Sequence, residues 1–367
     1  MLIASDKTYV DGALCPGLAL EVQGGQVRAL RPLGDDRPDL GVAVLAPGLT
    51  DLQVNGGGGV LLNTSPTPEG LRAIRAAHLG LGTAAMLPTV ITDTPEVLEA
   101  AADAAIACKG EPGLEGLHIE GPHISARKKG THDPRHIRPL DQRSMAVLRR
   151  LRAAQVPVLL TLAPEETDPA LLHEAAAMGV ILSAGHSMAS ADQTRQALAD
   201  GVTMFTHLFN AMPQMESRAP GIIAAAILSD AYIGLIADGI HVDWDALRVA
   251  MAARPRPDRS FLVSDAMPTV GGPDSFILYG QPIHVDGGRL VNAQGALAGA
   301  HVSLLECVRR LVAHTPVPLA KALEMASDIP RRAMGLAPLR LEPGLPVDQV
   351  LALDGPELAR IALPTAP

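Results

Sequence analysis

Residues that bind metals or move protons follow a series of apolar segments along this chain. Glu120 ends the segment GLHIE, His186 ends GVILSAGH, and His207 lies within VTMFTHLF. One carboxylate and two imidazoles are the usual protein ligands of a catalytic divalent metal that keeps one position open for water. Asp265, in the segment SFLVSDA, is a further carboxylate that can take a proton from water activated by the metal. The pattern therefore predicts a metal-assisted hydrolase.

Each of these residues, taken alone, also has a structural interpretation. A histidine after a strand is more often a hydrogen-bonded structural residue than a ligand, and a strand-end aspartate commonly caps the next helix. Glu120 has a second alternative, as a buried ion-pair partner of Lys128 or Lys129. Four such residues at strand ends are unexpected by chance, so we favour the metal site.

The middle of the chain predicts the elements that position these residues. Ala- and Leu-rich segments with helix-start signals, such as Thr67-Pro68-Glu69, Thr94-Pro95-Glu96 and Asp168-Pro169, separate eight apolar segments. Continuous apolar character is typical of strands buried on both faces of a parallel sheet. We therefore predict an α/β fold, a (β/α)8 TIM-like barrel whose strand ends share one rim, with a doubly wound open sheet as the alternative. The predicted strands are 42–48, 83–90, 116–120, 156–163, 179–186, 202–209, 232–238 and 260–266.

The two ends of the chain predict a second, smaller domain. LALEVQGGQVRAL, from residue 18, alternates apolar and polar residues around a Gly-Gly turn, and residues 347–363 repeat this pattern. We expect the two segments to meet in a small β-sandwich domain. The predicted domains are residues 1–46 and 336–367 for the β domain and 47–335 for the barrel, with an inserted hairpin at 276–291.

Composition excludes several classes of partner. The chain has 367 residues, 47% of them hydrophobic and 19% charged, which is typical of a globular protein. Its net charge of −9 and the lack of a basic block argue against nucleic acid or an anionic membrane as a partner. Three widely separated cysteines, and the lack of a signal segment or long apolar run, lead us to expect a cytoplasmic protein.

Seven motifs together carry a resemblance to a known enzyme family. They are APGLTDLQVNGGGG, GLHIEGPH, KKGTHDP, SAGHS, THLFNAM, ADGIHVD and VSDAM, and they lie between residues 46 and 299. The chain resembles the N-acetylglucosamine-6-phosphate deacetylase family of the amidohydrolase superfamily over nearly its whole length. The resemblance implies a homodimer that removes the acetyl group from N-acetylglucosamine 6-phosphate, giving glucosamine 6-phosphate and acetate.

The resemblance also implies a role for each matching residue. Glu120, His186 and His207 are the implied metal ligands. Asp265 is the implied general base, which later protonates the leaving amine, and His132 is expected to polarise the acetyl carbonyl. The implied substrate-binding residues are Thr131 and His132 at the sugar, Asn210, Ala211, Arg218 and His241 at the phosphate, and Leu297, Ala298 and Gly299 in a closing segment. Part of the phosphate site is expected to come from a second subunit.

Gln53 and Asn55 stand where many amidohydrolases have a His-x-His pair that binds a second metal. Because amides are poorer zinc ligands than imidazoles, we expect one divalent metal per subunit, zinc first and iron or cobalt as alternatives. His118 is expected to point into the barrel with a structural role. His123 either touches the sugar or faces solvent, and we expect solvent.

Three other functions compete with this one. N-acetylgalactosamine 6-phosphate differs from the first substrate in one hydroxyl group that no motif here reads. A catalytically silent sugar-phosphate binder is the second alternative, although every expected ligand and Asp265 are present. A more distant amidohydrolase activity, on cyclic amides or N-acyl amino acids, gives no reason for the motifs SRAPG and THLFNAM.

Overall fold

The computed structural model describes residues 1–364. In this range the strands are β1 (Leu2–Val10), β2 (Ala13–Cys15), β3 (Leu18–Gln23), β4 (Gln26–Pro32), β5 (Leu40–Pro47), β6 (Leu49–Val54), β7 (Gly56–Gly57), β8 (Val60–Leu61), β9 (Thr83–Ile91), β10 (Leu117–Glu120), β11 (Val158–Leu162), β12 (Ile181–Ala184), β13 (Val202–Phe205), β14 (Tyr232–Leu235), β15 (Ser260–Leu262), β16 (Ser275–Leu278), β17 (Gln281–Asp286), β18 (Arg289–Asn292), β19 (Val350–Asp354) and β20 (Ala359–Ile361). The helices are α1 (Pro68–Gly80), α2 (Pro95–Ala107), α3 (Gln142–Ala153), α4 (Pro169–Ala177), α5 (Ala191–Ala199), α6 (Gly221–Ile227), α7 (Trp244–Ala252), α8 (Leu304–His314), α9 (Leu319–Ala326) and α10 (Asp328–Ala333).

Eight parallel strands form the predicted barrel. Their order is β6, β9, β10, β11, β12, β13, β14 and β15. The sheet closes after β15, where the backbone N–H of Asp265 donates to the carbonyl of Gln53 (3.1 Å) and that of Asn55 donates to Ala266 (2.9 Å). Every residue of β9, β10 and β11 is buried, which explains why these segments are apolar throughout. The (β/α)8 prediction is confirmed.

The predicted helix starts have the expected capping bonds. The hydroxyl of Thr67 accepts from the N–H of Gly70 (3.1 Å), and that of Thr94 accepts from Val97 (3.4 Å). Asp168 accepts from Ala170 in the same way (2.9 Å). Each cap fixes where a helix begins after its strand. None of the helices within residues 1–364 has the length and apolar character needed to cross a bilayer.

Strands from both chain ends form one sheet beside the barrel, as predicted. Its order is β20, β19, β5, β1, β3 and β4, with β2 added to β1. This sheet has its own apolar core, which includes Ile3, Leu20, Val42 and Val350. The insertion, which the sequence predicts as a hairpin, is a three-stranded sheet of β16, β17 and β18. Residues 365–367, at the end of the predicted β domain, lie outside the described residues.

The first barrel strand differs from the prediction. The segment 42–48, which the sequence predicts as that strand, lies mainly in β5 of the small sheet, and the barrel begins with β6. The chain passes from one to the other at Gly48, where a Cβ atom would lie 2.4 Å from the Cβ of Ala84. Such close packing requires glycine at the break between the two strands. Asp51 and Gln53 therefore belong to the barrel strand itself, not to the loop after it.

Candidate metal centre and substrate cavity

The barrel brings the four predicted chemical groups to one mouth. Glu120 is the last residue of β10, and His186 and His207 each lie two residues after their strands. His186, His207 and Asp265 all have left-handed backbone conformations, with φ of 49°, 30° and 54°. Such conformations cost non-glycine residues about 1–3 kcal/mol and concentrate at functional sites. They turn the three side chains inward over the end of the barrel.

The side chains of Glu120, His186 and His207 contact one another directly. Oε1 of Glu120 lies 3.2 Å from Nε2 of His186 and 2.9 Å from Nε2 of His207, and the two Nε2 atoms are 3.1 Å apart. Tetrahedral ligands bound about 2.0 Å from a zinc ion are separated by roughly 3.3 Å. The three atoms thus have nearly the spacing of one face of a metal coordination sphere. The residues present therefore fit a divalent metal.

The protonation of these groups also suits a metal. Nδ1 of His186 donates to the backbone carbonyl of Lys128 (2.9 Å), which leaves the lone pair of Nε2 directed at the centre. Burial raises the pKa of the Glu120 carboxyl, but the hydrogen bonds and charges of His186 and His207 outweigh burial and lower that pKa well below its usual range. Glu120 is therefore charged, as a ligand must be. Neither Lys128 nor Lys129 is its ion-pair partner among the described residues.

A third histidine adjoins this group. Ligand atoms of Glu120, His132 and His186 all lie within 4.8 Å of one another. The ring centroids of His132 and His186 are 4.5 Å apart. Nδ1 of His132, however, lies 2.7 Å from the hydroxyl oxygen of Thr92. Two three-residue sets thus share Glu120 and His186, and their third member is either His207 or His132.

Two amides hold the fourth group, Asp265. Its Oδ1 accepts from Nε2 of Gln53 (3.0 Å) and from Nδ2 of Asn55 (2.7 Å). The same Nε2 of Gln53 donates to Oε1 of Glu120 (3.0 Å), so one amide joins the two carboxylates. Burial and the charge of Glu120 raise the pKa of Asp265 to about 6. Within residues 1–364, Oδ2 of Asp265 makes no recorded hydrogen bond, which leaves it free to exchange a proton.

A cavity of about 240 Å³ opens above these groups. The predicted residues that line it, besides the four above, are Thr131, His132, Asn210, Ala211, His241, Leu297 and Gly299. Asp238 accepts from Nδ1 of His241 (2.6 Å) and thereby orients its ring. Ala298 is fully buried and packs in an apolar cluster with Met267 and Leu278 instead of lining the cavity. Arg218 is exposed on the loop before α6 and is not among the lining residues.

His118 and His123, in the motif GLHIEGPH, have structural contacts. His118 is buried, and its Nε2 lies 2.8 Å from the hydroxyl oxygen of Thr161, as predicted for a structural residue. The expectation that His123 faces solvent is wrong, because its side chain is 2% exposed. Its Nδ1 bonds to the carbonyl of Arg138 (3.1 Å), which folds back over the strand end. The positions next to His123 in the sequence do not show that a later part of the chain covers it, so its burial could not be predicted from them.

Several residues of the site were not predicted from the sequence. Thr92 contacts His132, Asp238 orients His241, and Ile91 and Met267 line the cavity. Thr92 follows β9 directly, and this position after a strand could have marked it as a candidate site residue. The helix-start pattern of the adjoining Thr94-Pro95-Glu96 obscured it.

Known proteins are similar to this chain in both sequence and fold. No family model matches the chain. It is 38% identical to N-acetylgalactosamine-6-phosphate deacetylase of Shewanella sp. strain ANA-3, over 90% of this chain and 86% of that protein. It is 33% identical to N-acetylglucosamine-6-phosphate deacetylase of Haemophilus influenzae, over 80% and 77% of the two chains.

A solved structure extends the similarity to nearly every residue. It is a variant of N-acetyl-D-glucosamine-6-phosphate deacetylase from Mycobacterium smegmatis in complex with N-acetyl-D-glucosamine-6-phosphate. The TM-score is 0.88 at 29% identity, covering 100% of this chain and 98% of that chain. Identity above 30% over most of both chains, together with the shared barrel and β domain, establishes common descent. The chain belongs to the N-acetylglucosamine-6-phosphate deacetylase family.

Proposed function

We propose that this protein hydrolyses the acetamide of N-acetylglucosamine 6-phosphate to glucosamine 6-phosphate and acetate. The observation that carries the proposal is the contact of Glu120, His186 and His207 at the mouth of the barrel, with Asp265 held beside them by two amides. A silent binder has no need of a buried carboxylate, two imidazoles turned to one point and a free carboxylate oxygen. The structural relative in complex with the same sugar phosphate supports the substrate class.

We assign Glu120, His186 and His207 as the ligands of one divalent metal per subunit, with zinc as the first choice and iron or cobalt as alternatives. Their three ligand atoms lie within 3.2 Å of one another, which is close to the spacing of one coordination sphere. When bound, the metal supplies Lewis acidity, which activates water near neutral pH and polarises a carbonyl oxygen. Gln53 stands where a second metal site is expected, and its donated N–H bonds to both carboxylates take the place of a second cation.

Asp265 is the proposed general base and acid. Its Oδ1 is held by Gln53 and Asn55, while Oδ2 takes the proton of the attacking water and later delivers it to the leaving nitrogen. The burial that raises its pKa makes it a stronger base than an exposed aspartate. His132 donates a hydrogen bond to the acetyl oxygen as negative charge develops there. Removal of one such donor in other hydrolases costs about 10²–10³ in kcat.

The remaining lining residues are assigned to the sugar phosphate. Thr131 adjoins the sugar, Asn210, Ala211 and His241 bind the phosphate, and the segment Leu297–Gly299 closes over the substrate. Arg218, exposed outside the lining of its own cavity, is assigned to the phosphate site of the partner in a homodimer. Arginine suits phosphate because its planar guanidinium meets two oxygens at once. A cytoplasmic location agrees with the three free cysteines.

A substrate panel tests the function. Acetate release is measured from N-acetylglucosamine 6-phosphate, the unphosphorylated sugar and N-acetylgalactosamine 6-phosphate, for the wild type and for Asp265→Asn. We expect activity on the first substrate, little on the unphosphorylated sugar, and loss in the variant. The galactosamine epimer is the second candidate because the Shewanella relative is named for it. Equal activity without the phosphate would refute the roles of Arg218 and His241, and higher activity on the epimer would replace the proposed substrate.

A further inference from the structure

Thr92 lies directly behind the catalytic cavity and contacts His132. It follows the last residue of β9 and is fully buried. Its hydroxyl oxygen lies 2.7 Å from Nδ1 of His132. Nothing else within residues 1–364 makes a recorded hydrogen bond to this hydroxyl. The contact raises the question of which of the two groups donates the proton.

The numbers of hydrogen-bond donors and acceptors at this contact decide which group donates. A threonine hydroxyl carries one proton, and inside a protein that proton needs an acceptor. Among residues 1–364 the Thr92 hydroxyl has one partner, Nδ1 of His132, so it satisfies its proton by donating to this nitrogen. If Nδ1 carried the ring proton, the buried hydroxyl would be left without an acceptor, which costs about 1–3 kcal/mol. The arrangement therefore favours an unprotonated Nδ1.

We propose that Thr92 is a positioning residue that donates to Nδ1 of His132 and so keeps the ring proton on Nε2, which faces the cavity. The inference deepens the proposed function and rests on it for the role of His132. A neutral imidazole with its proton on Nε2 can donate to the acetyl oxygen, whereas the other tautomer presents a lone pair that repels it. An Nε2 that carries a proton is also unable to bind a metal, so His207 is the third ligand and His132 is not.

The surroundings of Thr92 hold its hydroxyl in place. The phenol of Tyr279, from the inserted sheet, donates to the backbone carbonyl of Thr92. On the other side lies Gly121, where a Cβ atom would come within 2.3 Å of the Thr92 hydroxyl oxygen. Gly121 has a φ of 76°, so glycine is required there for its conformation as well as for space. The Tyr279 bond therefore holds the backbone of Thr92, and Gly121 leaves just enough space for its hydroxyl.

A pair of substitutions separates positioning from packing. Thr92→Val keeps the shape and removes the hydroxyl, whereas Thr92→Ser keeps the hydroxyl. We expect Thr92→Val to lower kcat on N-acetylglucosamine 6-phosphate about 10- to 100-fold, the usual effect of losing a partner that orients a catalytic imidazole, with KM changed less than about threefold. Thr92→Ser restores most of this loss, and metal content stays at the wild-type level in both. Thr194→Val, at a buried threonine that bonds to the Ser190 carbonyl in α5, is the matched control with wild-type activity.

A direct measurement of the proton does not depend on activity. Joint X-ray and neutron crystallography of the metal-loaded, deuterium-exchanged enzyme locates the ring deuteron of His132. We expect it on Nε2, with the Thr92 deuteroxyl directed at Nδ1. A deuteron on Nδ1, or a Thr92→Val enzyme with wild-type kcat, would overturn the inference. If the wild type shows no deacetylase activity, the proposed function fails, and the position of the deuteron still decides the tautomer.

Discussion

Replacing Gln53 by leucine tests whether the amide shared by the two carboxylates sets the pH range of the enzyme. Nε2 of Gln53 donates to Oε1 of Glu120 and to Oδ1 of Asp265, each at 3.0 Å. Leucine has a similar size and no donor. Asp265 then keeps the bond from Asn55 while still facing the charge of Glu120. Its charged form loses stabilisation, so its pKa rises.

The size of the shift follows from the lost bond. A hydrogen bond to a charged group contributes about 1.5–3 kcal/mol, and the lower figure applies because Asn55 still donates to the same carboxylate oxygen. One pKa unit corresponds to about 1.4 kcal/mol, so the pKa of Asp265 rises by about one unit. A general base works only when deprotonated. The acid limb of the activity profile therefore moves about one unit toward higher pH, and activity below that limb falls about tenfold.

The assay is kcat/KM for acetate release as a function of pH, with metal content measured for each preparation. Gln349→Leu, the same change at a buried glutamine in the small domain, serves as the control and leaves the limb in place. Activity on the alkaline plateau should differ little between wild type and Gln53→Leu. An unshifted limb, or a shift toward lower pH in a variant with its full metal content, would refute the assignment of Asp265 as the base.

The other predictions concern stability and metal binding. Burial lowers the pKa of His123 to about 4, so the group stabilises the fold above its unfolded pKa of about 6.5, and this stability is lost as pH falls toward 4. Between pH 7 and pH 5, His123→Gln should therefore lose about 2 kcal/mol less unfolding free energy than the wild type, as measured by urea titration; equal losses would contradict the buried neutral state. Tyr9→Phe removes a 2.7 Å bond to Asp328 between the small sheet and α10 and should lower the unfolding free energy by about 1.5–3 kcal/mol in the same assay, whereas no change would show that water replaces the bond. Glu120→Gln should retain less than about half the wild-type metal after dialysis, measured by mass spectrometry, and full retention would exclude Glu120 as a ligand.

The barrel was predictable because its signals are local and repeated. Strands such as β9 and β11 are buried on both faces, which leaves an uninterrupted apolar segment in the sequence. Threonine or aspartate followed by proline then marks where the next helix begins. Together these signals placed Glu120 and Asp265 at strand ends, and the fold carries strand ends to one rim. The candidate ligands could therefore be grouped without knowledge of any distance.

Other features depend on contacts that no local pattern contains. The break between β5 and β6 lies at Gly48, which packs closely against Ala84 on another strand. The burial of His123 depends on Arg138, which lies later in the same loop and bonds to it through its carbonyl. The hydroxyl of Thr92 has a role only because it contacts His132, which lies forty positions later in the sequence. Each of these residues is of a common type in an ordinary position, so its sequence neighbours give no indication of its partner.

The directions in which the catalytic side chains point also depend on contacts that no local pattern contains. His186, His207 and Asp265 have positive φ angles, which their own residue types disfavour. Backbone bonds to distant parts of the chain hold two of these conformations: the N–H of Leu208 donates to Gly234 (2.9 Å), and that of Ala300 donates to Asp265 (3.0 Å). Local preference and tertiary structure therefore conflict at the residues that carry the chemistry, as expected where function takes precedence over local stability. The sequence identifies the strand that supplies each group, whereas the neighbouring strands determine where that group points.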